Sequence, residues 1–241
     1  MLQCCLNGTR AIADHPALPV SPAQIADDVV SLAGVGVRSV HIHPRDLTGL
    51  EALAGPRIAP TVARLHSVAP RVGIGVTTAA WIEPDTPTRI DLLAGWAGLT
   101  AGKPDFASVN VHEDGWLAAC EVLTSARIGI ELGVFHLEAA KELRAAGIPA
   151  GSIRVLVEVQ ATDPMAALAE LDKLLDELSW VNLPILAHGE EGGAWPVLLE
   201  ASRRGLDTRI GLEDVLVLPD GSPAHDNLDL VRAARELGAY E

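Results

Sequence analysis

Residues 37–46 read Val-Arg-Ser-Val-His-Ile-His-Pro-Arg-Asp, an apolar, β-branched run that ends in polar residues. The run is typical of a β-strand, in which side chains alternate between two faces, so His41 and His43 point the same way. The stretch before it, residues 22–32, predicts a helix with Ser21 at its N-cap. The chain therefore contains a helix–strand unit with two imidazoles at the end of the strand.

The same alternation of strand and helix extends along the whole chain. Eight short apolar segments predict strands, and a segment that predicts a helix follows each one. The predicted strands cover residues 2–7, 37–41, 72–76, 106–110, 127–131, 153–159, 183–187 and 208–212. The predicted helices cover residues 22–32, 58–67, 88–93, 115–124, 136–146, 164–178, 194–204 and 227–237.

Eight strand–helix units favour parallel strands covered by helices, and they fit a closed (β/α)8 TIM barrel. An open doubly wound sheet is the alternative, and Gly73-Ile74-Gly75 is the one fragment that resembles its glycine fingerprint. That fragment lies inside a predicted strand and lacks the third glycine. No change of composition divides the chain, so we predict an α/β fold with a single domain over residues 1–241.

Composition argues against several classes of protein. Of the 241 residues 49% are hydrophobic, yet no apolar run approaches the roughly 20 residues of a membrane span. The formal charge of −14 argues against nucleic acid as a partner, because such binding needs clustered lysine and arginine. The first residues lack the basic segment of a secretion signal, and three cysteines form no disulfide framework. We therefore expect a cytoplasmic protein.

Polar residues follow every predicted strand. Barrel enzymes build their sites at the C-terminal ends of the strands, so the residues at these ends are candidates for a functional site. They are Asn7, Arg10, His41, His43, Arg45, Thr77, Thr78, Ser108, Asn110, Glu131, Glu158, His188, Glu190, Glu213 and Asp214. The alternative interpretation of Asn110 is an asparagine that caps its own loop.

The first, second and eighth strands are neighbours in a closed barrel, because the eighth pairs with the first. His41, His43 and Glu213 are therefore expected to converge on one point. Two imidazoles and a carboxylate, completed by water or substrate, form an open catalytic metal site that favours zinc and also suits ferrous iron or manganese. In the alternative interpretation the histidines only form hydrogen bonds, and Glu213 with Asp214 favours a helix N-terminus.

Three motifs occur in order along the chain. They are His-Ile-His-Pro-Arg-Asp at 41–46, Gly-Ile-Glu-Leu-Gly-Val-Phe at 129–135 and Arg-Ile-Gly-Leu-Glu-Asp at 209–214. These motifs, together with Leu-Asn-Gly-Thr-Arg at 6–10, resemble the β-keto acid cleavage enzymes. The resemblance implies a (β/α)8 barrel, a homo-oligomer, and one Zn²⁺ per chain held by His41, His43 and Glu213. It also implies that a β-keto acid and acetyl-CoA react to give acetoacetate and a new acyl-CoA.

The same resemblance implies roles for individual residues. Asp214 is the base that takes a proton from the carbon between the keto and carboxylate groups, Arg209 steadies the negative charge, and Glu131 lies in the same polar network. Arg209 and Glu213 are an even number of residues apart and can both face the barrel interior, whereas Asp214 can do so only if the strand has ended. The expected substrate contacts are Thr77, Thr78, Asn110 and Asn7.

Arg10 departs from the family. It occupies the position of an acidic residue that meets the substrate's amino group in the founding enzyme. An arginine there favours a substrate with an anionic or polar tail. The alternative is that Arg10 is solvated or pairs with Asp14.

Two other functions fit the same candidate residues. A divalent-metal aldolase or sugar isomerase uses a similar barrel rim without CoA, so dependence on a thioester separates it from the cleavage enzymes. A non-catalytic binding barrel would keep only the scaffold. The fold alone does not choose among the three, because barrels support many chemistries.

Overall fold

The computed structural model describes residues 1–46 and 48–240, and these residues form a closed barrel. Eight parallel strands lie in chain order around it, and the last strand closes the barrel by pairing with the first. The strands are β1 Leu2–Cys5, β2 Ser39–Ile42, β3 Gly73–Thr77, β4 Phe106–Asn110, β5 Gly129–Val134, β6 Ser152–Val159, β7 Ile185–Gly189 and β8 Asp207–Ile210. The main helices are α1 Pro22–Gly34, α2 Gly55–Val68, α3 Thr86–Ala94, α4 Trp116–Ser125, α5 Leu137–Ala146, α6 Pro164–Glu177, α7 Ala194–Arg203 and α8 Asn227–Glu236. The predicted (β/α)8 barrel is confirmed, and the open sheet was the wrong alternative.

Polar residues set where several helices begin. Ser21 and Gln24 form a reciprocal capping box at α1, in which Ser21 Oγ accepts from the Gln24 backbone N–H at 3.2 Å. Asp85 and Asp163 accept from backbone N–H groups in the first turns of α3 and α6. The Asp85 cap places the start of α3 at Thr86, two residues before the predicted start. Each such cap contributes about 1 kcal/mol to helix stability.

The helices bury one apolar stripe each. In α1 the buried residues Ile25, Val29 and Leu32 recur at helical spacing and belong to the same core cluster as Leu6 and Ile42 of the barrel. In the described part of the chain, no helix is both long and apolar enough to cross a membrane.

A buried polar network fills the barrel toward the N-terminal ends of its strands. Gln3 Nε2 donates to Ser39 Oγ and to Glu131 Oε1, both at 3.1 Å. Glu131 is fully buried, and Arg154 Nε lies 2.6 Å from its Oε1. The Arg154 guanidinium also lies over the ring of Phe106, 5.2 Å from its centroid. An ion pair therefore forms the floor of the barrel interior.

Arg154→Met is expected to lower the free energy of unfolding by about 3–5 kcal/mol, because it leaves the buried charge of Glu131 without its partner. The double variant Arg154→Met/Glu131→Gln removes both charges and should recover most of that loss. Urea unfolding of the two variants beside wild type measures both values. Equal stability of the single and double variants would contradict the pairing.

Asn227, the first residue of α8, connects three parts of the fold. Its Nδ2 donates to the Leu6 carbonyl at 3.0 Å and to Asp28 Oδ2 at 2.7 Å, while its Oδ1 accepts from the Leu212 backbone N–H at 2.7 Å. Leu212 lies just beyond β8, in the turn before Glu213. The side chain therefore fixes this turn against the end of β1.

Asp28→Asn is expected to stabilise the protein above pH 6. Burial raises the pKa of Asp28 from 3.8 to about 6, and Asp226 adds to the rise although Asn227 opposes it. The folded state therefore holds this proton more tightly than the unfolded state, and stability falls as pH rises from about 4 through 6. The loss at neutral pH is about 1–3 kcal/mol once solvent screening is allowed for. Thermal melts at pH 4 and pH 8 should show the gain at pH 8 alone, and the exposed Asp27→Asn should show none.

Candidate metal centre and active site

His41, His43 and Glu213 converge at the C-terminal rim of the barrel. Their possible ligand atoms all lie within 4.8 Å of one another, and His43 Nε2 is 3.7 Å from Glu213 Oε1. The convergence follows from strand order, because β1 pairs with both β2 and β8 and brings their ends together. The three residues therefore form a candidate metal centre, as the sequence predicted.

Partners outside this cluster orient His43. Its Nδ1 is hydrogen-bonded to the Glu51 carboxylate, which leaves Nε2 directed toward Glu213. Asn7 holds the backbone: its Oδ1 accepts from the His43 N–H at 2.9 Å, and its Nδ2 donates to the His43 carbonyl at 3.0 Å. A carboxylate behind a histidine ligand fixes the ring and strengthens it as a ligand.

The three residues fit a divalent metal. His41 Nδ1 and Glu213 Oε2 are buried without a hydrogen-bond partner among the described residues, which is costly unless another group binds there. Burial, the largest effect, holds the pKa of His41 well below its ordinary value. His41 is therefore neutral at physiological pH, the form that can bind a metal.

Arg209 and Asp214 form a buried ion pair beside this cluster. Arg209 Nη2 donates to Asp214 Oδ1 and to Glu213 Oε1, both at 2.9 Å. Asp214 Oδ2 accepts from Cys5 Sγ at 2.8 Å. β8 ends at Ile210, two residues before the predicted end, so the turn that follows lets both acidic residues reach Arg209.

Close approach of two backbones makes this turn possible. At Gly211 an added Cβ would lie 1.8 Å from the Cys5 carbonyl oxygen, so any larger residue would push the two segments apart. At Gly8, where φ is +50°, an added Cβ would lie 2.5 Å from Glu213 Cγ. Both glycines thus help to position Glu213.

Electrostatics keep the Arg209–Asp214 pair charged. Burial alone would raise the pKa of Asp214, but the charges of Arg209 and His188 outweigh it and hold that pKa well below its usual range. Burial opposes the charged form of Arg209 too, yet Asp214 and Glu213 raise the pKa of its guanidinium well above the ordinary value. The pair is therefore ionic at all physiological pH values.

A pocket opens above the cluster, and several of the predicted residues line it. Trp81 stands at the pocket, 50% exposed, with its ring 6.3 Å from that of His43 and nearly parallel to it. The Asn110 amide donates to Glu113 Oε1 at 2.9 Å. The lining residues are Thr9, His41, His43, Thr77, Trp81, Ser108, Asn110, Phe135, Leu156, Glu158, Glu190, Arg209 and Glu213.

Five predicted site residues lie outside this lining, and one of them is Asp214, which is buried beside Arg209. Asn7 binds the backbone of His43, and Thr78 donates its hydroxyl to the Ser108 carbonyl at 2.7 Å. Glu131 contacts Gln3 and Arg154 in the barrel floor. The fifth is Arg10.

Arg10 faces the loop after β8. Its Nε donates to the Leu212 carbonyl at 2.6 Å, and its Nη2 donates to Glu191 Oε1 at 2.5 Å. Asp14 instead accepts from the Ala11 N–H at 2.8 Å. The first loop is further held by Arg45, which donates to the Gly8 carbonyl at 3.1 Å. The guanidinium of Arg10 thus contacts both the loop after β7 and the loop after β8.

Sequence reasoning missed other residues of the site. Glu51 follows His43 by eight residues in a loop, and no local pattern connects the two. In the sequence, nothing distinguishes Trp81 from an ordinary core or interface tryptophan. Glu158 and Glu190 stand among the polar strand ends but had no assigned role. Burial together with the nearby Glu158 and Asp214 raises the pKa of Glu190 to about 7.

The closed barrel and its histidine–carboxylate cluster define a TIM-barrel protein with a candidate metal centre at the C-terminal rim. The family model of the β-keto acid cleavage enzymes (BKACE) matches residues 1–240. The chain therefore belongs to this family, which makes it an enzyme that acts on β-keto acids.

Solved structures of other enzymes have a similar fold. Type I 3-dehydroquinate dehydratase from Clostridium difficile is 11% identical with a TM-score of 0.68, over 98% of this chain and 91% of that chain. The Geobacillus kaustophilus 3-dehydroquinate dehydratase is 9% identical with a TM-score of 0.64, over 98% and 88%. The carboxyl transferase domain of Rhizobium etli pyruvate carboxylase is 13% identical with a TM-score of 0.63, over 98% of this chain and 46% of that chain. At these identities the likeness shows a shared fold alone.

Proposed function

We propose that this enzyme uses Zn²⁺ and acetyl-CoA to cleave a β-keto acid, giving acetoacetate and a new acyl-CoA. The observation that carries the proposal is the convergence of His41, His43 and Glu213 beside the buried Arg209–Asp214 pair. His41, His43 and Glu213 would hold the metal, which when bound supplies a Lewis acid for the substrate's keto group.

The protein's own residues supply the remaining chemistry. Asp214 takes the proton from the carbon between the keto and carboxylate groups. Arg209, already held between two carboxylates, stabilises the negative charge that develops on the substrate oxygens. Glu131 acts indirectly, because its ion pair with Arg154 forms the floor beneath these residues.

The proposed reaction needs no oxidant or reductant, because each bond that breaks is matched by one that forms. The substrate enolate carbon attacks the acetyl carbonyl, and the CoA sulfur transfers from that carbon to the former keto carbon. The bond between the former keto carbon and the attacking carbon then breaks, which releases acetoacetate and the new acyl-CoA. The proton that Asp214 removed returns to the acetoacetate carbon.

Substrate contacts are assigned by position. Thr77 and Asn110 line the pocket and are proposed to contact the β-keto acid directly, whereas Asn7 and Thr78 act by fixing the backbone around it. The guanidinium of Arg10 is engaged with Leu212 and Glu191, so the proposed substrate is defined by its β-keto acid group and not by its tail.

His43→Ala is expected to lose both the metal and the product, because it removes one of three ligands. Metal analysis of wild type should give one zinc per chain. Incubation with acetyl-CoA and a panel of β-keto acids should give acetoacetate and a new acyl-CoA by mass spectrometry. His66→Ala is the matched control, because His66 pairs with Asp105 at the surface and should leave both results unchanged.

Other outcomes of the same experiment would favour one of the competing functions. Bound metal without any CoA-dependent product would favour a metal-dependent aldolase or isomerase. Absence of both metal and turnover would make the paired histidines structural and would contradict the proposal.

A further inference from the structure

His188 lies between two buried carboxylates beside the site. The residue is in β7 and is 0% exposed. Its Nδ1 lies 3.5 Å from Asp214 Oδ1, and its Nε2 lies 3.5 Å from Glu158 Oε2. In the described part of the chain neither ring nitrogen has a partner in hydrogen-bonding geometry, so these two carboxylates are its charged contacts at 3.5 Å. The imidazole therefore bridges these two carboxylates.

Other groups occupy the remaining oxygens of the bridge. Asp214 Oδ2 accepts from Cys5 Sγ at 2.8 Å, and Glu158 Oε1 accepts from Gln160 Nε2 at 3.2 Å. Arg209 shares Asp214 Oδ1 with His188 but divides its guanidinium between Asp214 and Glu213. Loss of His188 would thus remove a neighbouring imidazole from each carboxylate, and Asp214 Oδ1 would keep only the contact with Arg209 that Arg209 divides with Glu213.

Strand register fixes the position of the ring. β6 and β7 pair so that Glu158 is directly opposite His188. Asp214 approaches from the turn after β8, and Glu158 lines the pocket. The bridge thus connects the carboxylate behind Arg209 to the pocket wall.

We propose that His188 is a positioning residue that holds the carboxylate of Asp214 in its working orientation by bridging it to Glu158. The inference rests on the proposed function, in which Asp214 is the base. An imidazolium between two buried carboxylates offsets their mutual repulsion, and its two N–H groups fix the angle between them. Partners of this kind around a reactive group typically affect its activity by about 10–100-fold.

The charge of the ring is consistent with this role. Burial and the neighbouring Arg209 would both lower the pKa of His188, but Asp214 and Glu158 outweigh them and raise that pKa. The raised pKa favours the doubly protonated ring, in which both nitrogens are donors.

Two substitutions separate the two halves of the bridge. In His188→Asn the side-chain amide nitrogen can take the position of Nδ1 and donate to Asp214. In His188→Gln it can take the position of Nε2 and donate to Glu158. We expect kcat to fall by about 100-fold in His188→Gln and by less than about 10-fold in His188→Asn, with KM changed by less than about 3-fold in both. Equal kcat losses, or no loss in either, would overturn the proposal.

Controls distinguish positioning from general damage to the fold. Both variants should retain the metal content of wild type, because His188 is not among its proposed ligands. His15→Asn alters another buried histidine, whose Nε2 bonds the Ala224 carbonyl, and should change the melting temperature without changing kcat. If both His188 variants fail to fold, Glu158→Gln tests the bridge from the pocket side and should lower kcat while KM changes less.

A second readout does not depend on turnover. Nitrogen-15 NMR of the purified enzyme should show His188 protonated at both ring nitrogens at neutral pH, with the Nε2 signal shifted in Glu158→Gln. A singly protonated ring would overturn the bridge. If wild type turns over no β-keto acid, the proposed function fails, and the NMR result still decides whether His188 links the two carboxylates.

Discussion

Asp214→Asn should lower kcat by about 10²–10⁴-fold while the metal content stays at that of wild type. The substitution keeps the size of the side chain but removes the basic carboxylate, and proton transfer by a positioned base contributes an effect of this order. Steady-state kinetics with the preferred β-keto acid and metal analysis of the same sample measure both quantities. Asp172→Asn, which alters a surface carboxylate paired with Arg204, is the matched control and should behave as wild type.

The same variant has a predicted effect on acid stability. Because the pKa of folded Asp214 lies below its unfolded value, its contribution to stability is present above about pH 4 and is lost as pH falls below that value. Asp214→Asn should therefore lose less stability than wild type between pH 4 and pH 2. Undiminished kcat in this variant would remove Asp214 from the role of base.

Arg209→Met should reduce both stability and rate. It leaves Asp214 and Glu213 without their shared cation, and breaking a buried ion pair in this way costs about 3–5 kcal/mol. Loss of one donor to developing oxyanions lowers kcat by about 10²–10³-fold. Urea unfolding and steady-state kinetics measure the two effects.

A surface arginine provides the comparison. Arg203 pairs with Glu200 by a short ion pair but is 71% exposed, so Arg203→Met should change the free energy of unfolding by less than about 1 kcal/mol. Arg209→Lys, which keeps the charge without the branched guanidinium, should fall between wild type and Arg209→Met in kcat. A similar loss of stability in Arg203→Met and Arg209→Met would show that burial does not determine the strength of this pair.

Much of the fold was predictable because it depends on local pattern and chain order. Period-two alternation placed His41 and His43 on one face of a strand, and eight strand–helix units indicated closure. Closure in turn made the first strand a neighbour of the second and the eighth, which brought Glu213 to the histidines. The ends of the strands were less predictable: β8 ends two residues earlier than expected, because the close approach of Gly211 to Cys5 turns the chain after Ile210.

The surroundings of the candidate site could not be predicted in the same way. Arg10 was a candidate for contact with the substrate's tail, and its guanidinium contacts Leu212 after β8 and Glu191 after β7. Glu131 belongs to a motif that resembles the family, but its partner Arg154 places it in the barrel floor. Both outcomes depend on which distant side chain is within reach, and sequence spacing carries no information about that distance.

The sequence by itself therefore determined the barrel, its rim of polar strand ends, and the candidate ligand set of His41, His43 and Glu213. These features follow from side-chain periodicity within each strand and from the order of the strands along the chain. Only the tertiary structure decided that Glu51 contacts His43 and that His188 lies between Asp214 and Glu158. Those contacts form across loops and between strands, where the folded backbone alone sets the distance between two side chains.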